Sequence, residues 1–107
     1  MDEARLRSAA GFAMRAGACL SGDFACGRAV KSGKAKFVLL DAAASAATLE
    51  RYRGLCARAG IPWAELPGMG SAIGKHGRMV AAITDSGFAR MLTAAAEAAG
   101  TNQHGGA

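Results

Sequence analysis

The chain reads as an α/β protein, a three-layer α/β/α sandwich with helices on both faces of a small sheet, and three observations predict this. Segments with apolar residues at three-to-four spacing alternate with short apolar runs of strand length. One of those runs, Phe37-Val38-Leu39-Leu40, is apolar at every position and is bounded by Lys36 and Asp41, the pattern of a central strand covered on both faces. Alanine supplies 27 of the 107 residues. It loses almost no side-chain entropy on burial and lets helices lie close on a sheet.

Residues 3 to 15 are predicted to form a first helix, with Leu6, Ala9, Ala10, Ala13 and Met14 on one side and Gly17 ending it. A short extended piece around Ala18 to Leu20 follows. Ser21 and Gly22 offer an N-cap, and Asp23 a first-turn carboxylate, for a second helix that runs to Ser32 before Gly33. After the central strand, the stretch 43–59 places Leu49, Tyr52, Leu55 and Cys56 on one stripe. Arg51, Arg53 and Arg58 fall largely off it, and Gly60 closes the helix. Ile61 to Leu66 reads as a short strand whose Pro62 argues for its very start or for a sheet edge. Pro67-Gly68 breaks it. A glycine-punctuated segment from Met69 to Gly77 leads into a strand at 78–83. A last helix, capped by Asp85 or Ser86, runs to Ala99. One domain therefore covers residues 1–99, with no internal repeat or linker, and the tail 100–107 is expected to be disordered.

Val, Ile, Leu and Phe together make up only about 17% of the chain. Such scarcity accompanies disorder when net charge is high. Here charged residues are 20% and the net charge is +5, so the composition implies a folded domain with a thin core. No apolar run approaches the roughly 20 residues needed to cross a bilayer. Asp2 and Glu3 precede any apolar run, the wrong sign for a secretory leader, so a cytoplasmic location without a membrane partner is expected. Cys19, Cys26 and Cys56 are odd in number and lack close pairing, which argues against a disulfide framework or zinc knuckle; buried free thiols are expected.

The carboxylates are scattered, and His76 and His104 lie far apart, so nothing favours a catalytic constellation, a metal site or a cofactor. Asp41 and Asp85 stand at strand C-termini, where α/β folds place ligands, but each is read first as a cap of the helix that follows. The segment Gly68-Met69-Gly70-Ser71-Ala72-Ile73-Gly74-Lys75 has glycines suited to close phosphate approach. It fails both nucleotide patterns. Three residues separate Gly70 from Gly74, where a dinucleotide fingerprint needs two and a Walker loop four, and His76 rather than Ser or Thr follows Lys75.

Charge placement is more informative. Between Asp23 and Asp41 lie Arg28, Lys31, Lys34 and Lys36 with no acid; between Glu65 and Asp85 lie Lys75 and Arg78, again with none. If these windows meet in the fold they form one basic surface, reinforced by the partial positive charge of helix-opening amides, and a polyanion is its natural partner. Phe24 is the only aromatic that lies well inside a basic window, so a non-specific single-strand platform is poorly supported. Glycine turns beside Ala72 and Ile73 better suit a pocket for unstacked bases of structured RNA.

Several ordered motifs carry a family resemblance. Ala13-Met14-Arg15-Ala16-Gly17, Ser21-Gly22, and the run Arg28 to Leu40 are followed by Gly70-Ser71-Ala72-Ile73-Gly74-Lys75, Arg78 and Ile83-Thr84-Asp85-Ser86-Gly87-Phe88-Ala89. Over roughly residues 6 to 95 the chain resembles the YlxQ-like branch of the L-seven-Ae ribosomal-protein superfamily. The resemblance implies a mixed four-stranded sheet within the sandwich, and recognition of kink-turn RNA by the start of the second helix and the loop before the last strand. The positions it marks are Gly22, Asp23, Phe24, Arg28 and Lys31, with Gly70, Ser71, Ala72, Ile73, Gly74, Lys75 and Arg78. By this analogy Gly22 permits close backbone approach, Arg28 takes the place of a phosphate-contacting lysine, Ala72 and Ile73 help wall a pocket for a flipped base, and Lys75 and Arg78 contact phosphates. The sequence also departs from the family. Kink-turn binders carry an Asn-Glu pair that reads sheared G·A pairs, whereas Phe24-Ala25 stands here and can supply no such polar contact. Phe24 is expected to pack into the core more readily than to stack on a base.

The expectation is thus a cytoplasmic, non-enzymatic RNA-binding module serving translation or RNA processing. Its partners would be structured or ribosomal RNA and, with it, ribosome or RNA-processing proteins. A protein-interaction adaptor that keeps the fold without RNA is the first alternative, and a small nucleotide-binding enzyme the second.

Overall fold

Alternation along the strands decides which layer each side chain joins. Phe37 and Leu39 of the central strand face one side of the sheet and Val38 and Leu40 the other, and all four are fully buried. A computed structural model describes residues 1–98. Its order is α1 (Glu3–Arg15), β1 (Cys19–Ser21), α2 (Asp23–Lys31), β2 (Phe37–Asp41), α3 (Ala46–Ala59), β3 (Trp63–Leu66), α4 (Met69–Ala72), β4 (Val80–Ile83) and α5 (Ser86–Glu97).

The four strands form one mixed sheet in the order β1-β4-β2-β3. β4 runs antiparallel to both β1 and β2, with Ile83 opposite Cys19 and Phe37, while β3 lies parallel to β2 with Val38 opposite Trp63. On one face Leu6, Ala10 and Ala13 of α1 and Leu92 and Ala96 of α5 pack with Phe37, Leu39, Ala81 and Ile83, and Met69 of α4 closes one end. On the other, Cys26 and Val30 of α2 and Tyr52 and Cys56 of α3 cover Val38, Leu40, Val80 and Ala82. This is the predicted three-layer sandwich, with the mixed four-stranded sheet that the resemblance implies. Small residues are prominent in both layers, and each lets a helix approach the sheet more closely than a larger side chain would.

Several element bounds depart from expectation: the strand expected at 78–83 begins at Val80, which leaves Arg78 in the preceding loop, and the strand expected at 61–66 begins at Trp63. The third helix begins at Ala46 rather than Ala43, because the Ser45 side chain accepts from the Thr48 amide and sets the N-cap there. Asp41 therefore does not cap it, whereas Asp85 does cap α5, accepting from the Phe88 amide at 2.9 Å. The Met69–Gly77 segment contains a short helical turn, α4, whose buried Met69 anchors it to the core. Pro62 precedes edge strand β3, where its missing N–H costs the ladder nothing. The expected end of the last helix at Ala99 and the expected disordered tail lie outside the described residues.

Candidate nucleic-acid interface

The two basic windows meet where α2 begins. The Gly22 amide donates to the Val80 carbonyl at 3.0 Å, which pins the start of α2 against the start of β4. Arg78 precedes β4, and its guanidinium donates to the Ser21 carbonyl at 3.4 Å, beside Gly22. Gly22 adopts φ 95° and ψ 151°, a conformation costly for any residue with a side chain, and a Cβ here would lie 2.5 Å from an Arg78 nitrogen. Glycine at this position thus lets the arginine of one window lie against the backbone of the other.

No side chain caps α2 at Gly22. The one carboxylate in its first turn, Asp23, is instead held by α3: Arg51 pairs with Oδ2 at 2.8 Å and the Tyr52 hydroxyl donates to Oδ1 at 2.7 Å. Those two hydrogen bonds, the tyrosine's first, hold the Asp23 carboxyl below the usual range. Burial pushes the Tyr52 hydroxyl up, so it remains a donor. One turn along α2 the Arg28 guanidinium lies over the Phe24 ring, 5.5 Å from its centroid. Phe24 is 78% exposed, which overturns the expectation that it packs into the core. The interior face of α2 is taken by Cys26, Ala29 and Val30, and position 24 falls outside that stripe.

The loop between β3 and β4 is held from beneath. Asp41, 5% exposed at the end of β2, accepts from the Ala43 amide at 2.8 Å and from the Met69 amide at 3.1 Å. It is therefore a strut that caps α4 across the sheet end, and not a cap for the helix following it in sequence. Gly70 is buried where a Cβ would meet the Lys75 and Arg78 carbonyls at 2.6 and 2.9 Å, so the loop can fold back on itself only around glycine. Arg7 of α1 donates to the Pro67 and Gly68 carbonyls from the outside. In this arrangement Ser71, Gly74, Lys75 and Arg78 are exposed, Ala72 is half-buried, and Ile73 is 4% exposed in the α1/α5 core.

Of the marked positions, Gly22, Asp23, Phe24, Arg28 and Lys31 lie on α2 and its cap, and Arg78 joins them to the loop that carries Gly70 through Lys75. Neither of the two ion pairs among the described residues, Arg51–Asp23 and Arg53–Glu65, uses Arg28, Lys31, Lys75 or Arg78. Sequence reasoning missed Tyr52 and Arg51 as the groups that hold Asp23, Arg7 as a loop clamp, and Leu20 as an exposed neighbour of Phe24. Tyr52 was visible only as a member of an apolar stripe, and no local pattern links it to a residue 29 positions earlier.

The surface carries the cations Arg28, Lys31, Lys75 and Arg78 together with the exposed apolar side chains of Leu20 and Phe24. Among the described residues no group of three His, Cys, Asp or Glu side chains could hold a metal ion. Cys19, Cys26 and Cys56 are free and buried as expected, and burial pushes their thiols up to about 11, 12 and 12. No helix among the described residues is long and apolar enough to cross a membrane.

The fold and the ordered motifs agree with comparisons to known proteins. No family model matches the chain. The RNA-binding protein YlxQ of Bacillus subtilis (strain 168) is 34% identical over 85 residues, spanning 77% of this chain and 85% of that protein. The chain belongs to the YlxQ family. A solved structure of a Bacillus halodurans C protein of unknown function is similar to this chain in sequence and shape, with 34% identity and a TM-score of 0.81 over 87% of this chain and 97% of the other. The Giardia lamblia 15.5kD RNA binding protein shares the fold alone, with 20% identity and a TM-score of 0.70 over 83% of this chain and 79% of the other. The ordered motifs therefore identified the YlxQ branch correctly.

Proposed function

We propose that this chain is a non-enzymatic RNA-binding protein, and that it holds structured RNA between the first turns of α2 and the 69–78 loop. The observation that carries this reading is the contact of Arg78 with the Ser21–Gly22 backbone, which unites the two acid-free windows into one surface. The name of the Bacillus subtilis relative supports it. Arg28, Lys31, Lys75 and Arg78 supply phosphate contacts, and the uncapped amides of α2 add partial positive charge beside them. Asp23 opposes this charge weakly, since Arg51 neutralises it. Gly70 and Gly74 shape the loop, with Ser71 at its surface, and half-buried Ala72 offers the loop's apolar contact for a displaced base, with Ile73 packed behind it.

The RNA is a sharply bent or ribosomal element, bound through its backbone shape more than through sheared G·A pairs, because Phe24-Ala25 lacks the polar groups that would read them. We place the activity in translation or RNA processing in the cytoplasm, alongside ribosomal or RNA-processing proteins. Three buried free thiols suit that reducing compartment.

Filter binding of a bulged hairpin RNA at two salt concentrations tests the reading. Affinity should fall with salt, and Arg28→Ala and Lys75→Ala should each weaken binding and reduce the magnitude of the logarithmic salt slope by about 0.7 to 0.9. Absence of binding at low salt, or binding indifferent to salt, overturns it. Parental affinity in both variants overturns the assignment of these residues.

A further inference from the structure

Beside the α2 cations lies a feature that phosphate binding does not use. Leu20 on edge strand β1 and Phe24 on α2 are 38% and 78% exposed, two of the few large apolar side chains left at the surface. Together with Ala25, Arg28, Ser32 and Lys34 they line a groove of about 290 Å³. That is near the lower limit for small-ligand sites, roughly 300 Å³. No carboxylate lines it, and neighbouring Asp23 is drawn to α3. The groove therefore presents an exposed aromatic ring with Arg28 over one face, an aliphatic wall and a second cation, Lys34. This combination suits a planar ring that carries negative charge close by. A protein partner would be expected to bury a broader apolar patch with less positive charge.

We propose that Phe24 is a stacking platform for one unpaired nucleobase, seated against Leu20 with its flanking phosphates on Arg28 and Lys34. The proposal rests on the RNA-binding reading of this face and names the part of the RNA it takes. Stacking uses the π-face that every base has, so the groove selects an unpaired nucleotide without selecting its sequence. A site that otherwise lacks polar base contacts gains a means of recognising structure: a paired base cannot enter.

The test uses the full chain and a hairpin RNA with one bulged adenosine, compared with the same RNA carrying an abasic residue at the bulge. Phe24→Ala should weaken binding to the first RNA by about 5- to 150-fold, the range typical of base–aromatic stacking. Its salt slope should stay at the parental value, and Phe24→Trp should restore affinity. On the abasic RNA, parent and Phe24→Ala should bind alike. Equal affinity of parent and Phe24→Ala for the adenosine RNA overturns the stacking platform while leaving the phosphate reading intact, provided Lys75→Ala still weakens binding. Equal loss on both RNAs also overturns it. A parent that binds neither RNA at low salt overturns both readings and leaves the groove to a protein partner.

Discussion

The Tyr52 hydroxyl of α3 stands 2.7 Å from the Asp23 Oδ1 and 2.9 Å from the Asp23 backbone carbonyl, the first residue of α2. Its one proton is shared between these acceptors, so a group buried in the core holds both the backbone and the carboxylate where the candidate interface begins. Removing the hydroxyl should cost about 1–2 kcal/mol, in line with a hydrogen bond to a charged group that is partly exposed. Tyr52→Phe should lower the unfolding free energy measured in urea at neutral pH by that amount, moving the midpoint down without changing the slope. An unchanged midpoint would show that the contact contributes nothing net.

The same pair predicts acid sensitivity. A carboxyl whose pKa is depressed by folding contributes stability above its unfolded value, about 3.9, and loses it as pH falls through the lower folded value. The parent should therefore lose stability below about pH 4, and Asp23→Asn should lose less over the same window. Urea titrations at neutral and acidic pH measure the difference; identical losses would refute the contribution of Asp23.

Asp41 and Asp85 both cap helices, but with different burial. Asp41→Ala orphans the Ala43 and Met69 amides at a buried site and should cost about 2–3 kcal/mol. Asp85→Ala removes an exposed cap and should cost about 1 kcal/mol. Thermal or urea unfolding of the two variants checks the order, and the reverse order would contradict the strut.

Gly70→Ala should destabilise by about 1–3 kcal/mol, because the new Cβ meets two backbone carbonyls that cannot swing aside. Gly54→Ala is the control. Its nearest neighbour is the flexible Arg58 guanidinium, so the midpoint should stay equal or rise. Comparable losses at both positions would remove the argument from close approach.

Thiol titration offers a further check. With thiols pushed up to between about 11 and 12, Cys19, Cys26 and Cys56 should react slowly with an alkylating reagent at about pH 8 in the folded chain, and rapidly once it is unfolded. Fast reaction of Cys26 in the folded chain would show that the α2 face opens.

For the RNA itself, removing tandem G·A pairs from a kinked RNA should change affinity only slightly, since neither Phe24 nor Ala25 can hydrogen-bond to them. A large loss would require polar readout from another part of the chain.

Much of this was legible in the linear chain because it rests on local rules. Periodicity marked the large elements, the unbroken apolar run marked β2 as a strand covered on both faces, and Asp85 was readable as a cap because its partner is three residues away. The acid-free windows were equally local, being counts of residue types. The role of Asp41 is not legible for the corresponding reason: beyond the adjacent turn its carboxylate accepts from the Met69 amide, 28 positions on, and no rule of spacing points there.

By itself the sequence determined the sandwich, the YlxQ kinship and the two basic segments. Only the tertiary structure decided that these segments meet, that Arg78 lies on the backbone at Gly22, that Asp23 is held by Arg51 and Tyr52, and that Phe24 turns outward beside Leu20. The physical reason is that periodicity reports which face of an element is buried, whereas contacts between faces depend on sheet order. Here β4 lies between β1 and β2, and that placement brings residue 78 to residue 22.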